Sequence, residues 1–459
     1  MRRRGNCGKD SDAIRGGDAL QDGDATQDGD ALQDGDALQD GDAMVGPVAG
    51  CRSCGGRLTV TMADLGLQPA SNAFVDSPAA MHQEKRYPLR AKVCETCKLV
   101  QLDYDVAPQE LFGNYVYFSS YSDQWLSHAK AYCDMAQERF ALTSASLVVE
   151  LASNDGYLLK NFLTMGIPVL GIDPSDTVAA AAKKIGVPTL VRFFGETVAE
   201  ELVREGRQAD LIIANNVLAH VPQLNDFVAG IACLLRPAGT VTIEFPHLLE
   251  LIRHVEFDTI YHEHYSYFSL YAIEQVFRRH RLRIYDLERL STHGGSLRIF
   301  ASHAQRQELS DSARLSEVRA QEEAAGLAEL ETYQQFAQRV EECRDSLRAF
   351  LAKAKREGKR VAAYGAAAKG NTLLNFCGVT PQDIAFVADR SPHKQNKWLP
   401  GTHIPVVSPE DLMAAKPDYV LILPWNLKDE IELQLAGIKA WGGRFVTPVP
   451  MVRIGGFAP

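Results

Sequence analysis

Short apolar runs separated by polar, glycine-containing turns begin after residue 140 and predict buried strands. Leu147–Val149 and Val169–Ile172 are two such runs, and each leads into a polar turn and a helical pattern. The stretches "ADLIIANNVLAHVPQ" and "LLRPAGTVTIEFP" add further strands. Because strands that alternate with helices favour a parallel sheet, the sequence predicts a Rossmann-like α/β domain over residues 111–303.

The same pattern returns near the C-terminus. "KRVAAYGAAAKGNTLLNF" gives a strand, a turn of small residues and a helix, and a second strand ends at Asp389. Lys369 and the start of that helix could face a diphosphate, and a purely structural partner domain is the alternative. The sequence therefore predicts a second, C-terminal Rossmann-like α/β domain over residues 359–459.

A helical linker is predicted between the two domains, over residues 304–358. Its apolar residues recur mostly at every third or fourth position, which is typical of an amphipathic helix or a pair of helices. We interpret this segment as a packing strut. The apolar positions are Leu327, Leu330, Phe336, Val340, Cys343, Leu347 and Phe350.

An aspartate-rich repeat dominates the N-terminus. A six-residue unit recurs about five times in "GGDALQDGDATQDGDALQDGDALQDGDAMVG" and offers too few apolar side chains to bury a core. Residues 1–47 are therefore predicted to be a disordered acidic tail. Calcium binding by its carboxylates is an alternative, although the spacing matches no EF-hand loop.

Composition excludes several classes of partner. The net charge is −10, of which −6 lies in residues 1–50, so the rest of the chain is only weakly acidic and offers no basic field for nucleic acid. No apolar run reaches the roughly 18 residues of a membrane helix, and "MRRRG" lacks the apolar core of a secretory signal. Nine cysteines fit a reducing cytoplasm better than a disulfide scaffold, so we expect a cytoplasmic protein.

Four cysteines form two C-x-x-C pairs, "CRSC" and "CETC". Each pair can bring two thiolates to one tetrahedral Zn²⁺ ion, which predicts a zinc-binding domain over residues 48–110. A redox dithiol is the alternative. Four thiolates leave no open coordination position, so this zinc would be structural. The predicted ligands are Cys51, Cys54, Cys94 and Cys97.

The turn "ELASNDG" between a strand and a helix is a candidate cofactor site. Its small residues Ala152, Asn154 and Gly156 let a ligand approach the backbone, and Asp173 ends the next strand, where a carboxylate can bind a ribose diol. A full G-x-G-x-x-G is absent, which disfavours a dinucleotide. The order E-x-A-x-N-x-G, acidic strand end and "NNVLAH" resembles class I S-adenosylmethionine (SAM) methyltransferases, with Asn215 as a further cofactor-binding residue. A Rossmann-like domain without a cofactor is the alternative.

The stretch "IYHEHYSYFS" places two histidines around a glutamate among aromatic residues. A zinc-protease motif would need a second histidine where Ser266 stands, so that interpretation fails. A catalytic base remains one interpretation. The other is that His262 or His264 binds a backbone carbonyl in a packed core.

A family resemblance rests on these motifs taken together. The paired C-x-x-C hooks, "NYVYFSSYSDQW", "ELASNDGYLL", "FDTIYHEHYSYFSL", "HGGSLRIF" and "YGAAAKGNTLLN" occur in this order. The chain from residue 51 to its end thereby resembles sugar C-methyltransferases that act on nucleotide-activated 4-keto-deoxysugars in antibiotic biosynthesis. The fold implied is a class I methyltransferase domain with a zinc-binding domain and a second α/β domain.

The resemblance also implies functions for single residues. Methylation of a sugar carbon beside a 4-keto group, here C3, needs a base that generates an enolate, and histidine is the usual choice. The resemblance assigns this base to His264. Glu263 would orient an imidazole or bind a sugar hydroxyl, Tyr261 would donate to the enolate oxygen, and Tyr115 is a further active-site tyrosine.

The implied cofactors are SAM and Zn²⁺, and the implied substrate is a nucleotide-linked sugar, with dTDP as the expected nucleotide. The resemblance places it between the SAM domain and the C-terminal domain of a monomer. Three rival interpretations stay open: methylation of an oxygen or nitrogen on a related sugar, a nucleotide-sugar or SAM-binding protein without turnover, and an NAD-linked sugar oxidoreductase.

Overall fold

The computed structural model describes residues 45–107, 111 and 123–455. Residues 1–44 of the predicted acidic tail lie outside this part of the chain. Gly46–Pro47, which the tail prediction included, instead form a short strand that pairs with Tyr104–Asp105. The predicted tail thus includes two residues that pair with a distant strand, and such pairing cannot be recognised from local composition.

Residues 45–107 form an antiparallel lobe, which we call the cysteine lobe. Its elements are β1 (Gly46–Pro47), β2 (Leu58–Gln68), a 3-10 turn at Pro78–Gln83, β3 (Tyr87–Cys94), β4 (Val100–Leu102) and β5 (Tyr104–Asp105). The main sheet contains β2, β3 and β4, and the two-residue strand Ser266–Tyr267 of the following domain completes it. The motif that contains His264 is thus hydrogen-bonded to the cysteine lobe.

Residues 123–303 form the middle domain. Its strands are β6 (Val148–Leu151), β7 (Val169–Ile172), β8 (Thr189–Leu190), β9 (Ala209–Asn215), β10 (Leu235–Pro246), β11 (Ser266–Tyr267), β12 (Leu282–Leu290) and β13 (Ser296–His303). Its helices are α1 (Asp123–Arg139), α2 (Leu159–Thr164), α3 (Asp176–Lys184), α4 (Glu196–Arg204), α5 (Leu224–Leu234), α6 (Leu248–His254) and α7 (Leu270–Arg279), with 3-10 turns at Leu218–His220, Phe257–Thr259 and Thr292–Gly294.

Seven strands build the sheet of the middle domain, in the order β12-β13-β10-β9-β6-β7-β8. The five strands from β8 to β10 are parallel, and β13 and β12 complete the sheet in antiparallel pairings. The strand order reverses between β6 and β9, and ligands of such sheets bind at the carboxyl ends of the strands beside this switch point. The turn after β6 and the end of β9 are therefore neighbours at the expected cofactor site.

Two helices follow, α8 (Ala313–Ala324) and α9 (Leu330–Arg356). The C-terminal domain, residues 359–455, contains β14 (Val361–Tyr364), α10 (Ala368–Phe376), β15 (Val387–Ala388), β16 (Val406–Val407), α11 (Pro409–Ala415), β17 (Tyr419–Ile422), α12 (Lys428–Gln434), β18 (Arg444–Thr447) and β19 (Arg453–Ile454), with 3-10 turns at Trp425–Leu427 and Ala436–Trp441. Its sheet order, β16-β15-β14-β17-β18-β19, has the same switch point, here between β14 and β17.

The long helix α9 is part of the core. Its apolar face includes Tyr333, Phe336, Val340 and Leu347, all essentially buried, and these side chains pack into a cluster shared by the cysteine lobe and the C-terminal sheet. The helix thereby joins two parts of the molecule that are distant in sequence.

None of the helices in the described ranges combines the length and the apolar character that a membrane crossing requires.

Candidate functional site

The four predicted zinc ligands lie together in the cysteine lobe. Their Sγ atoms are all within 4.8 Å of one another, and the Cys51–Cys97 and Cys54–Cys94 sulfurs are 3.5 and 3.4 Å apart. Tetrahedral Zn²⁺ with bonds of about 2.3 Å holds thiolates about 3.8 Å apart, so the donor set fits one zinc ion. No fifth group is needed, which suits a structural ion.

The middle domain donates several hydrogen bonds to the residues of the two C-x-x-C turns. Gln275 Nε2 on α7 donates to the Cys97 carbonyl at 3.2 Å, and Arg279 Nη1 donates to Ser53 Oγ at 2.8 Å. Asn225 Nδ2 at the start of α5 donates to the Ser53 carbonyl at 2.9 Å. Since these contacts fix the backbone of both C-x-x-C turns, the zinc cluster supports the docking of the lobe.

The turn after β6 has an unusual backbone. Ala152, Asn154 and Gly156 have positive φ angles of 55°, 50° and 76°. A Cβ on Gly156 would lie 3.0 Å from a methyl group of Val187, so a side chain there meets both strain and crowding. The alternation of conformations bends the chain tightly, and the exposed Ala152 leaves the backbone open to a ligand.

Asp173 lies at the end of β7, against this turn. Its Oδ2 accepts a hydrogen bond from Asn154 N, and its Oδ1 accepts one from Ser175 N, both at 2.9 Å. Burial raises the pKa of the Asp173 carboxyl, and the two backbone donors oppose this shift. Each carboxylate oxygen keeps a lone pair, so Asp173 can still accept from a ribose diol.

Asn215 and Asn216 end β9 on the other side of the switch point. Asn215 Oδ1 and both polar side-chain atoms of Asn216 are buried and have no hydrogen-bond partner among the residues that the structure describes. Buried polar atoms normally find partners, so these amides fit a ligand bound at the carboxyl ends of β6 and β9. The residues present therefore fit an adenosyl cofactor.

His264 is half-buried and held in one orientation. Its Nδ1 lies 2.9 Å from the Thr259 carbonyl oxygen. A carbonyl can only accept, so Nδ1 carries the proton and Nε2 carries the lone pair. Burial, together with the neighbouring His220, lowers the pKa of His264 well below its ordinary value, so the imidazole stays neutral and available as a base.

Two neighbours predicted to act with His264 differ in their contacts. The Tyr261 ring is tilted against the His264 ring, with centroids 4.1 Å apart and planes 33° apart. The Glu263 carboxyl is buried and accepts from Asn72 Nδ2 at 2.6 Å, and burial raises its pKa to about 7. His264 Nδ1 is instead held by the Thr259 backbone carbonyl, so the function of Glu263 in orienting an imidazole or binding a sugar hydroxyl stays a prediction. Tyr115 lies outside the described residues.

The other two histidines near the motif have different environments. His262 is buried, its Nε2 lies 3.3 Å from the Pro88 carbonyl, and its ring meets Tyr87 edge-on. This is the packed-core alternative. His220, at the end of the 3-10 turn after β9, contacts the His264 ring at 4.7 Å and directs Nδ1 to the Glu263 carbonyl at 2.7 Å. His220 therefore connects the cofactor edge of the sheet to His264.

The sequence analysis missed a buried ionic cluster beside the cofactor turn. Glu244 on β10 is fully buried, lies 3.1 Å from His128 Nε2 and accepts from Arg298 Nε at 2.7 Å. Burial alone would raise the pKa of Glu244, but His128 and Arg298 bring it below its ordinary value. Trp125 stacks on His128 at 5.1 Å and lies 6.4 Å from the Tyr157 ring. A glutamate inside the apolar run "VTIEFP" was the available signal.

The C-terminal domain brings further residues to this region: Trp425, which the sequence analysis missed, and Lys369, which it had assigned to a diphosphate. The 3-10 turn Phe257–Thr259 carries Asp258, whose Oδ2 accepts from Trp425 Nε1 at 2.8 Å. Lys369 Nζ lies 4.6 Å from the Trp425 ring centroid. Burial raises the pKa of Asp258 to about 6 and that of Glu256 to about 8, and in both cases the positive charge of Lys369 opposes the shift. The C-terminal domain therefore contacts the turn that precedes the His264 motif.

Comparison with protein families gives three successive matches. Residues 51–112 match a zinc binding domain, residues 125–287 a methyltransferase domain and residues 291–450 a C-methyltransferase C-terminal domain.

Among curated proteins, C-methyltransferase NovU of Streptomyces niveus is 36% identical over 411 residues, which are 90% of this chain and 98% of that protein. A ubiquinone biosynthesis O-methyltransferase of Rhodopseudomonas palustris (strain TIE-1) is 27% identical over 117 residues, less than half of its length. Among solved structures, the PH0226 protein of Pyrococcus horikoshii OT3 aligns over 43% of this chain and all of its own, with 15% identity and a TM-score of 0.35.

Proposed function

Because the chain belongs to the C-methyltransferase family that includes NovU, we propose that this SAM-dependent enzyme methylates a carbon of a nucleotide-activated 4-keto-deoxysugar. The carbon proposed is C3, and the proposed context is deoxysugar formation for an antibiotic. The observation that carries the proposal is the His264 imidazole, which is half-buried and held by the Thr259 carbonyl with its lone pair on Nε2, and whose pKa lies well below the ordinary value.

His264 Nε2 would remove the proton from the carbon beside the keto group. The electron pair of that C–H bond moves into an enolate, whose negative charge collects on the 4-oxygen. Tyr261, whose ring lies against that of the base, is the proposed hydrogen-bond donor to this oxygen. SAM, when bound, supplies an electrophilic methyl group to the enolate carbon. The proton removed stays on His264 until it is lost to solvent.

For the cofactor we propose the turn after β6 and the two strand ends beside it. Ala152, Asn154 and Gly156 would let the ligand approach the backbone, Asp173 would bind the ribose hydroxyls and Asn215 would direct its buried amide at the ligand. The positive φ angles, the lone pairs left on Asp173 and the Asn215 oxygen, which has no partner within the described part of the chain, support this assignment.

Asp173→Ala is expected to weaken binding of S-adenosylhomocysteine by about tenfold or more, through loss of charge-assisted hydrogen bonds to the ribose. Calorimetric titration with S-adenosylhomocysteine measures this. An affinity equal to that of the unchanged chain would contradict the assignment.

The nucleotide of the substrate is proposed to lie at the switch point of the C-terminal sheet. Asp389 ends β15 as Asp173 ends β7: its Oδ2 accepts from Ala366 N at 2.7 Å and its Oδ1 from Ser391 N at 2.8 Å. Lys369, in the first turn of α10, would neutralise the diphosphate. The repeated arrangement of Asp389 supports a second nucleoside site, whose ligand would reach across Lys369 to His264.

Asp389→Ala should therefore weaken binding of the nucleotide and leave binding of S-adenosylhomocysteine unchanged, whereas Asp173→Ala weakens binding of S-adenosylhomocysteine. We expect weaker binding of dTDP by about tenfold, with unchanged affinity for S-adenosylhomocysteine. Each variant removes one strand-end carboxylate with two backbone donors, so each is the control for the other. Equal loss of both ligands in the Asp389 variant would indicate general damage to the fold and would contradict the nucleotide assignment.

The proposed reaction is tested by incubating the full chain with methyl-labelled SAM and a panel of dTDP-4-keto-deoxysugars, and by locating the label with NMR. A new carbon–carbon bond at C3 is the expected result. A label on oxygen or nitrogen, or no turnover on any 4-keto sugar, would contradict it.

A further inference from the structure

The turn Phe257–Thr259 connects the C-terminal domain to His264 through consecutive residues. Asp258 is fully buried, and its Oδ2 accepts the indole N–H of Trp425 at 2.8 Å. The next residue, Thr259, offers its carbonyl oxygen to His264 Nδ1 at 2.9 Å. Asp258 and Thr259 are consecutive residues, so a shift of Asp258 reaches the Thr259 carbonyl through the backbone of Thr259.

The turn is held by contacts at both of its ends. Thr259 N and Thr259 Oγ1 both donate to the Glu256 carbonyl, at 3.1 and 2.7 Å. The Phe257 ring packs edge-on against Phe376 of α10, with centroids 5.4 Å apart. The C-terminal domain therefore contacts the turn through its first two residues, Phe257 and Asp258.

Trp425 is also fixed where it stands. The Lys369 ammonium lies 4.6 Å from its ring centroid and donates to Asn426 Oδ1 at 2.8 Å. The indole N–H has a charged acceptor in Asp258, and hydrogen bonds to charged groups are among the stronger ones in proteins.

We propose that Trp425 and Asp258 are positioning residues, through which the C-terminal domain holds the Thr259 carbonyl against Nδ1 of His264 and keeps the lone pair on Nε2. Neither side chain needs to touch substrate for this. The inference rests on the proposed function only where it takes His264 as the base. The proposal accounts for the closeness of the C-terminal domain to the motif. If the Trp425–Asp258 hydrogen bond were lost, the Thr259 carbonyl would no longer be held against Nδ1 of His264.

Trp425→Phe removes the donor and keeps an aromatic ring. We expect deuterium exchange of the sugar C3 proton to slow by about tenfold to a hundredfold, because small displacements of a reacting group are costly, while affinity for S-adenosylhomocysteine stays unchanged. Trp441→Phe is the matched control, since its indole donates to the Pro417 carbonyl at 2.9 Å in the same domain, away from the turn. That variant should exchange at the unchanged rate.

The tautomer is read directly from nitrogen-15 NMR of histidine-labelled protein at about pH 8, where imidazoles are neutral. The His264 signals are those that disappear in His264→Asn. The unchanged chain should show protonated Nδ1, and Trp425→Phe should show a mixture of tautomers. Asp258→Asn keeps an oxygen that can accept from the Trp425 indole, so this variant should retain the single tautomer. Asp258→Ala has no such acceptor and should show a mixture of tautomers.

Asp258→Ala combined with Trp425→Phe should be no slower than either single variant, since both remove the same contact. Additive losses, an unchanged tautomer in Trp425→Phe, or an equal loss in Trp441→Phe would overturn the proposal. If the unchanged chain exchanges no proton of any keto-sugar, the proposed function fails, and the NMR comparison still decides whether Trp425 and Asp258 position His264.

Discussion

Replacement of His264 by asparagine is expected to lower methyl transfer by about 10²–10⁴-fold while leaving the fold and the affinity for S-adenosylhomocysteine intact. The asparagine amide can still donate a hydrogen bond to the Thr259 carbonyl, which His264 Nδ1 contacts at 2.9 Å. It has no basic nitrogen in place of Nε2. The variant therefore removes the base and keeps the surrounding contacts, and steady-state turnover with labelled SAM measures the loss.

Proton exchange isolates the step that His264 would perform. With S-adenosylhomocysteine in place of SAM, the unchanged chain should exchange the C3 proton of the keto-sugar with deuterated water, because deprotonation needs no methyl donor. His264→Asn should abolish this exchange. Tyr261→Phe should only slow it, through weaker stabilisation of the enolate oxygen. An enzyme that methylates oxygen has no reason to exchange a carbon-bound proton.

The neighbouring histidine provides the control. His262 is buried against the Pro88 carbonyl, so His262→Asn should cost stability but retain exchange in the molecules that bind S-adenosylhomocysteine. Burial lowers the pKa of His264, so the acid limb of the exchange rate should lie below the ordinary histidine value of about 6.5. Survival of both exchange and methylation in His264→Asn would place the base elsewhere, with Glu263 or Tyr115 as the next candidates.

Features encoded by local spacing were the ones that the sequence could predict. The Rossmann-like methyltransferase fold, the zinc-binding domain with its four cysteines and the second C-terminal domain are confirmed by the family matches and by the cysteine cluster. Two cysteines on one tight turn meet whatever the rest of the chain does. An acidic residue at a strand end likewise lies at the carboxyl edge of a sheet. Such arguments need only a few consecutive residues.

Contacts between segments that are distant in the chain could not be predicted from the sequence. The carboxyl of Glu263 is held by Asn72 of the cysteine lobe, and that of Asp258 by Trp425 of the C-terminal domain. A buried carboxylate needs a partner, so Glu244 within an apolar strand could have been flagged as paired. Its partners His128 and Arg298 follow only from the packing of α1 and β13 on β10. Tyr115 lies outside the described residues and stays a prediction.

Loss of one zinc ligand is expected to have the largest effect on folding. Cys94→Ser replaces a fully buried thiolate at the end of β3, and we expect the protein to be purified without zinc and with a cysteine lobe that is unfolded or easily digested by protease. Metal binding to such a site contributes folding free energy directly, because no comparable site exists in the unfolded chain. Elemental analysis of the protein purified without chelator should give one zinc per unchanged chain and none in the variant.

The consequence should extend beyond the lobe. Ser266–Tyr267, just after His264, pair with β4 of the lobe. Gln275 of α7 donates a hydrogen bond to the Cys97 carbonyl. If the lobe unfolds, both contacts are lost, and the His264 motif is no longer held by them. Proton exchange should then be lost although no catalytic side chain was changed. Cys133→Ser is the matched control: Cys133 is also fully buried, but it packs against α2 in the middle domain, and its variant should retain one zinc and a folded lobe. Zinc-free protein with an intact lobe, or an unchanged chain that contains no zinc, would show that the four thiols stabilise this lobe without a metal.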